Sequence, residues 1–311
     1  MSEANKQPLI VILGPTAVGK TSVSIELADR LNGEIVSADS RLLYRGMDIG
    51  TAKPFEHEMQ AVPHHLIDVA DPDEVWSLAI YQRNAYQAID GIHRRGKLPF
   101  LVGGTGQYIR SIIEGWRIPP QRPDYELREA LTHWGDIIGS QGLYERLERI
   151  DPVAASKIDY RNVRRTVRAL EVIFKTGQRF SDLRRKQKCR YAPLVLGLDR
   201  PREALYARID QRIEQMLAQG LVTEVQGLLD AGYAPDLPTM SAIGYGEIIE
   251  YLHGEISLEE AVSLIKRNTR VFVRRQANWF KADDPRINWF TASGKTVEKF
   301  EAFIRSKFDE H

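Results

Sequence analysis

The stretch PLIVILGPTAVGKTSVSIELADRL, from Pro8 to Leu31, constrains the fold more than any other part of the chain. A short apolar run, a glycine-rich turn and then apolar residues at Val23, Leu27 and Leu31 read as a buried strand, a tight loop and a helix. Within it Gly14, Pro15, Thr16, Ala17, Val18, Gly19, Lys20 and Thr21 match the pattern G-x-x-x-x-G-K-S/T at every fixed position. The physical sense of that pattern is local. Gly14 and Gly19 let the backbone turn and approach an anion, so that successive N–H groups and the positive end of the following helix point at it. Lys20 adds a charge for the outer phosphate, and the Thr21 hydroxyl is placed to hold Mg²⁺. These residues predict binding of a di- or triphosphate, as in nucleotide sites such as those for ATP. They do not say which bond breaks.

At 311 residues with 43% apolar content the chain can build one large or two modest domains. Its single cysteine, Cys189, excludes an internal disulfide and a cysteine-based metal cluster, which fits a reducing cytoplasm. The apolar run from Leu9 to Leu13 is strand-sized, so neither a signal peptide nor a membrane span is expected, and a monomer is the default. A net charge of +1 argues against a general nucleic-acid coat and directs attention to how charge is distributed.

A second short strand, Glu34 to Asp39, ends on an acid. In an open α/β sheet ligands lie beyond the carboxyl ends of the strands, which aims Asp39 at the crevice of the phosphate loop and makes it a candidate general base. A surface aspartate opening a turn is the plainer alternative. The adjacent His64 and His65 point to opposite sides of an extended chain and make a poor metal pair, so they read as structural or substrate-contacting. A helix over about 77–94 leads into a buried strand at 97–102, closed by Gly103, Gly104, Thr105 and Gly106. A motor or GTPase would carry an aspartate there for its Mg²⁺, and glycines stand instead, which weighs against an NTP-hydrolysing machine. Glycines at this point suit close backbone approach to a ligand, with the Thr105 hydroxyl as a donor, or simply a β-to-α turn.

Residues 116–193 read as an α-helical insertion between core segments 1–115 and 194–311. Arg161 to Arg190 holds eleven Lys or Arg against two acids, a local charge of +9. Arg161, Arg164, Arg165 and Arg168 are expected on one side of a helix whose other side is Val163, Val167, Leu170 and Ile173. Such crowding repels itself unless a polyanion screens it, which favours a nucleic-acid backbone over a merely solvated face. A strand at 194–198 rejoins the sheet, and the helix from 201 places Arg208 and Arg212 four residues apart, either ordinary surface charge or a clamp on a diphosphate. Residues 236–246 read as a loop with Tyr245 as a candidate stacking aromatic. A long helix over about 258–281 gathers Lys266, Arg267, Arg270, Arg274, Arg275 and Gln276 with Trp279, a second basic surface.

Taken together, GPTAVGKT (Gly14 to Thr21), SADSRLLYRGMDIGTAKP (Ser37 to Pro54), PHHLIDVADP (Pro63 to Pro72), LVGGTGQY (Leu101 to Tyr108), RALEV (Arg168 to Val172), LPTMSAIGY (Leu237 to Tyr245) and RRQANWF (Arg274 to Phe280) resemble the bacterial tRNA dimethylallyltransferases, the IPP transferase family. The resemblance covers most of the chain. It implies an α/β fold with a P-loop NTPase-like parallel sheet core and an α-helical insertion domain. It implies dimethylallyl diphosphate in the phosphate loop with Mg²⁺ on Thr21, Asp39 as the base toward the adenine N6 amine, and Thr105 positioning the reacting centre. It further implies contacts with the anticodon stem-loop of tRNA from Asp39, Ser40, Arg41 and Leu42, from Arg164, Arg165, Thr166, Val167 and Arg168, from Ser241, Ala242, Ile243, Gly244, Tyr245 and Gly246, and from Arg274 and Gln276. One departure stands out: Gly246 and Glu247 follow Tyr245, where relatives carry a basic residue and then glutamine or glutamate. Two other classes share the phosphate loop, a small-molecule phosphotransferase of the nucleotide-kinase kind and a non-catalytic, nucleotide-gated RNA binder.

Overall fold

Five consecutive side chains, Leu9 to Leu13, are excluded from solvent in β1 (Pro8–Leu13), the pattern of a strand covered on both faces. Each contributes about 1.5–3 kcal/mol of apolar burial, so this strand anchors the sheet. The computed structural model describes residues 6–118, 124–183 and 189–309. It divides into two compact units, Met1–Ile113 with Cys189–His311, and Glu114–Lys188.

In the first unit β1 pairs in parallel with β4 (Leu98–Gly103) on one side and β5 (Ala192–Asp199) on the other. Outside them lie β2 (Gly33–Ala38) with the two-residue β3 (His64–His65), and β6 (Ile287–Thr291). The resulting order is β3-β2-β4-β1-β5-β6, parallel throughout. A parallel sheet requires crossovers, which are supplied by α1 (Lys20–Arg30), α3 (Leu78–Arg94) and α4 (Gly106–Ile113) among others. Because β2 skips past β4 to pair outside it, the chain reverses direction of winding next to β1. The loops following β1, β2 and β4 therefore open into one crevice at the carboxyl edge. β6 was not anticipated: its five residues, INWFT, are only half-buried and lie on an edge, so they lack the continuous apolar run of a central strand.

At the end of this sheet β2 and β4 come so close that a Cβ on Gly103 would lie 2.2 Å from the Ala38 carbonyl oxygen. Backbone cannot swing aside as a side chain can. Gly103→Ala should destabilise the protein by about 3 kcal/mol, read as a lower midpoint in denaturant unfolding with an unchanged slope.

Two acids of this unit are each held by several partners. Glu34, on β2, accepts from Arg95 and meets His65 Nε2 at 2.7 Å and Lys97 at 3.4 Å; the Arg95 hydrogen bonds foremost hold its carboxyl down to about 2. His65 is thus a structural partner of a buried acid. Glu224, in α10 (Leu221–Asp230), accepts from three successive amides, Asp48 N at 3.0 Å, Ile49 N at 2.7 Å and Gly50 N at 3.1 Å, and from the Tyr245 hydroxyl at 2.6 Å. Lys53 closes the same loop on the Tyr44 carbonyl and on Asp48 and Asp68. The segment after β2 is therefore fixed by Lys53 from within and by Glu224 from far away in sequence.

The second unit is helical: α5 (Tyr125–Ile150), interrupted at Gly139 where φ is 77° and ψ 159°, α6 (Pro152–Ala155), α7 (Val163–Thr176) and α8 (Phe180–Leu183). Leu131, Leu143, Leu147, Leu170 and Phe180 form its own core. Two carboxylates are buried in it. Glu171 accepts from Asp124 N, Arg128 and Arg168, while Asp151 caps α6 and accepts from Ser181 N and Oγ.

Candidate active site

The phosphate loop follows β1, and the N–H groups around it fall into two sets. Pro15 has none, Thr16 N donates to Gln276 Oε1 at 2.9 Å, and Val18 N closes a turn on the Pro15 carbonyl at 3.4 Å. Ala17, Gly19, Lys20 and Thr21 keep N–H groups without an acceptor among the described residues, the last two at the start of α1 where a helix presents unpaired donors and its positive end. Of the eight loop residues expected to contact phosphate, Pro15 therefore offers no N–H and Thr16 and Val18 spend theirs inside the protein, while Ala17, Gly19, Lys20 and Thr21 keep theirs.

Lys20 folds over this loop, donating from Nζ to the Gly14 carbonyl at 3.0 Å and the Pro15 carbonyl at 2.8 Å. Burial is the main reason its pKa falls to about 8; the Asp39 carboxylate opposes that fall, and the Arg212 charge adds to it. Arg212, in α9 (Arg202–Ala218), is likewise lowered by burial and raised by Asp39, with Arg208 beside it. Arg208 Nε donates to the Ala17 carbonyl at 2.9 Å, and Arg212 reaches the Ala52 carbonyl at 3.5 Å. Residues from positions 20, 39, 208 and 212 thus form one electrostatic cluster around a set of unpaired amides.

Asp39 stands just past β2 and is half-buried. Its Oδ1 accepts from Arg41 N at 3.0 Å, which fixes the carboxylate and leaves Oδ2 without a hydrogen bond among the described residues. Thr105, just past β4, accepts at Oγ1 from Ser40 N at 3.0 Å and lies 3.4 Å from Ser40 Oγ, while Thr105 N donates to the Ala38 carbonyl at 3.1 Å. Beneath them Tyr81 and Tyr108 stack with centroids 3.6 Å apart, and Tyr81 donates to the Ser37 carbonyl. A held carboxylate and a set of cationic and amide donors can together accept a proton and stabilise a departing anion.

The metal question turns on the donor set. No group of three His, Cys, Asp or Glu side chains that could hold a metal occurs among the described residues. Thr21 is exposed at the first turn of α1, and its hydroxyl has no hydrogen bond among those residues. One hydroxyl beside unpaired amides fits a Mg²⁺ held mostly by the oxygens of its phosphate ligand, not a resident ion in a protein cage.

Several residues assigned to RNA from the sequence are not free to meet it. Thr166 and Val167 are buried in the core of the second unit, because α7 turns them inward with Ala169 and Leu170. Arg161 precedes α7 and pairs with Asp159 at 2.6 Å, so it is not on the helix with Arg164 and Arg165, which are exposed. Arg168 is half-neutralised by buried Glu171. Residues 184–188, which carry four more of that run's basic side chains, lie outside the described residues. Tyr245 is no stacking aromatic: it is fully buried at the start of α11 (Tyr245–Leu252), its hydroxyl on Glu224, with Ala242 and Gly244 also buried. Ser241 is exposed, and Ile243 and Gly246 are half-buried. Gln276 is 4% exposed and faces the phosphate loop. On the second basic surface, in α12 (Leu258–Ala277), Lys266 and Arg270 pair with Glu214 and Asp210, whereas Arg267 and Arg274 are exposed and line a cavity with Tyr206 and Ser263.

The parallel sheet, its phosphate loop at the reversal beside β1 and the acid at the end of β2 define a P-loop NTPase-like α/β protein that presents glycines at the end of β4, where a hydrolase of this class holds its metal. A family model described as IPP transferase matches residues 42–283, and one described as isopentenyl transferase matches residues 7–70. The chain belongs to the IPP transferase family, and it is an enzyme of the prenyltransferase class. It is 46% identical over 310 residues to a tRNA dimethylallyltransferase of Thermomicrobium roseum, covering 98% of this chain and 94% of that one. It is 53% identical over 274 residues to a tRNA dimethylallyltransferase of Roseiflexus sp., covering 88% and 90%. The crystal structure of a tRNA isopentenylpyrophosphate transferase from Bacillus halodurans superposes with a TM-score of 0.74 at 43% identity, covering 98% of each chain. A eukaryotic dimethylallyltransferase acting on tRNA gives a TM-score of 0.81 at 28% identity, covering 98% of this chain and 80% of that one.

Proposed function

We propose that the protein transfers the dimethylallyl group of dimethylallyl diphosphate to N6 of the adenine adjacent to the anticodon of tRNA, releasing diphosphate. The observation that carries this reading is that Lys20 and Arg212, beside the free loop amides and Arg208, lie close enough to Asp39 to feel its charge. An exocyclic amine is a weak nucleophile, and the allylic C–O bond breaks with negative charge growing on the leaving diphosphate. The cations and amides meet that charge. As the N6–C bond forms, Asp39 takes the amine proton, and Thr105, bonded to Ser40 beside it, positions the amine. Bound with the diphosphate on Thr21, Mg²⁺ would neutralise part of the leaving group's charge.

The adenine must leave its stack to meet Asp39, at a cost of a few kcal/mol that phosphate contacts offset. Arg164 and Arg165, exposed on α7, together with Arg41, Arg267 and Arg274 supply candidates for those contacts. With about five contacts, log Kd for tRNA should change with log salt at a slope of magnitude near 3.5, and Arg164→Ala or Arg165→Ala should each lower that magnitude by about 0.7. A flat salt response would overturn the assignment of these arginines. Incubating purified protein with unmodified tRNA and dimethylallyl diphosphate, then weighing the nucleosides, should reveal one adenosine gaining a five-carbon unit. ATP turnover on a small acceptor without that gain would favour the phosphotransferase reading instead.

A further inference from the structure

Gln276 occupies the last turn of α12, two positions from exposed Arg274, yet it is buried and both ends of its amide are used. Its Oε1 accepts from Thr16 N at 2.9 Å, and its Nε2 donates to the Gly104 carbonyl at 3.1 Å. The fit leaves no room: a Cβ on Gly104 would lie 2.4 Å from Nε2. One side chain therefore ties the crest of the phosphate loop to the end of β4, across separations of 260 and 172 residues.

We infer that Gln276 is a positioning residue for the diphosphate site, and not an RNA contact. It holds the Thr16 N–H away from the cradle while Ala17, Gly19, Lys20 and Thr21 keep theirs free, so the loop is set before the ligand arrives. A glycine-rich loop without that tie must be ordered at the moment of binding, and the ordering is subtracted from ligand affinity. An apolar side chain in its place would also leave two enclosed polar groups, Thr16 N and Gly104 O, without partners.

This inference rests on the proposed prenyl transfer for its kinetic arm only. Gln276→Met keeps length and removes both hydrogen bonds; Gln276→Glu keeps an acceptor for Thr16 N and removes the donor to Gly104 O. Whichever variant retains a near-wild-type melting temperature is titrated with inorganic diphosphate in the absence of tRNA, then with tRNA in the absence of diphosphate. Diphosphate affinity should fall about tenfold while tRNA affinity stays within about twofold, and KM for the prenyl donor should rise with kcat little changed. Unchanged diphosphate affinity, or an equal loss toward tRNA, would overturn the inference. If wild-type protein binds diphosphate and the variant does not, but neither modifies tRNA, the inference stands and the proposed reaction falls.

Discussion

Replacing Asp39 by asparagine lowers prenyl transfer about 10²–10⁴-fold and leaves tRNA affinity within about twofold, as measured by single-turnover transfer and by equilibrium binding to unmodified tRNA. The substitution keeps the shape and the Oδ1 acceptor that fixes Arg41 N, so the turn after β2 survives. In the proposed reaction, what it removes is the group that takes the proton from N6. It also removes the negative charge that supports protonated Lys20 and Arg212, so part of the loss should appear in donor KM. A purely RNA-binding protein gated by a nucleotide would be indifferent to this change. Full activity in the variant would remove Asp39 from the chemistry altogether.

Lys20 produces the second large effect. Its depressed pKa of about 8 means that the free enzyme loses this charge as pH rises through that value, so kcat/KM for the diphosphate donor should fall above about pH 8. A bound diphosphate favours the ammonium, so the fall in kcat should begin at higher pH than the fall in kcat/KM. Lys20→Ala should lower kcat/KM about 10²–10³-fold and abolish the alkaline limb. Lys20→Arg carries a charge that persists above pH 12, so its profile should be flat there even if its rate is lower. An alkaline limb that survives in both variants would have to belong to another group.

The parts of this structure that were legible in the sequence are those encoded locally. The phosphate loop, the acid after β2, the glycines after β4, the paired arginines of α9 and the helical insertion each announce themselves within a dozen residues, through spacing or composition. The electrostatic cluster joining Lys20, Asp39 and Arg212 follows from them because the carboxyl edge of a parallel sheet collects such ends. What stayed hidden depends on tertiary approach. Nothing near Glu224 signals that it will accept three amides from residues 48–50, and nothing near Gln276 signals that it will turn inward from a helix of arginines. Tyr245 misled for the same reason, since a tyrosine between glycines looks available until its hydroxyl finds Glu224. In α7, the helical period placed Val167 inward correctly, but Thr166 follows it into the core because several consecutive residues there are enclosed.

The chain leaves the first unit after Ile113 and rejoins it at Cys189, whose thiol donates to the Ile112 carbonyl at 3.6 Å. Departure and return thus share one doorway. To the host sheet such an excursion resembles a lengthened turn, whose closure cost grows only logarithmically with the number of residues it contains. Lineages could therefore enlarge, trim or recharge that module without shifting the pairing of β1 with β4 and β5, leaving the chemistry constant while the outer surface changes.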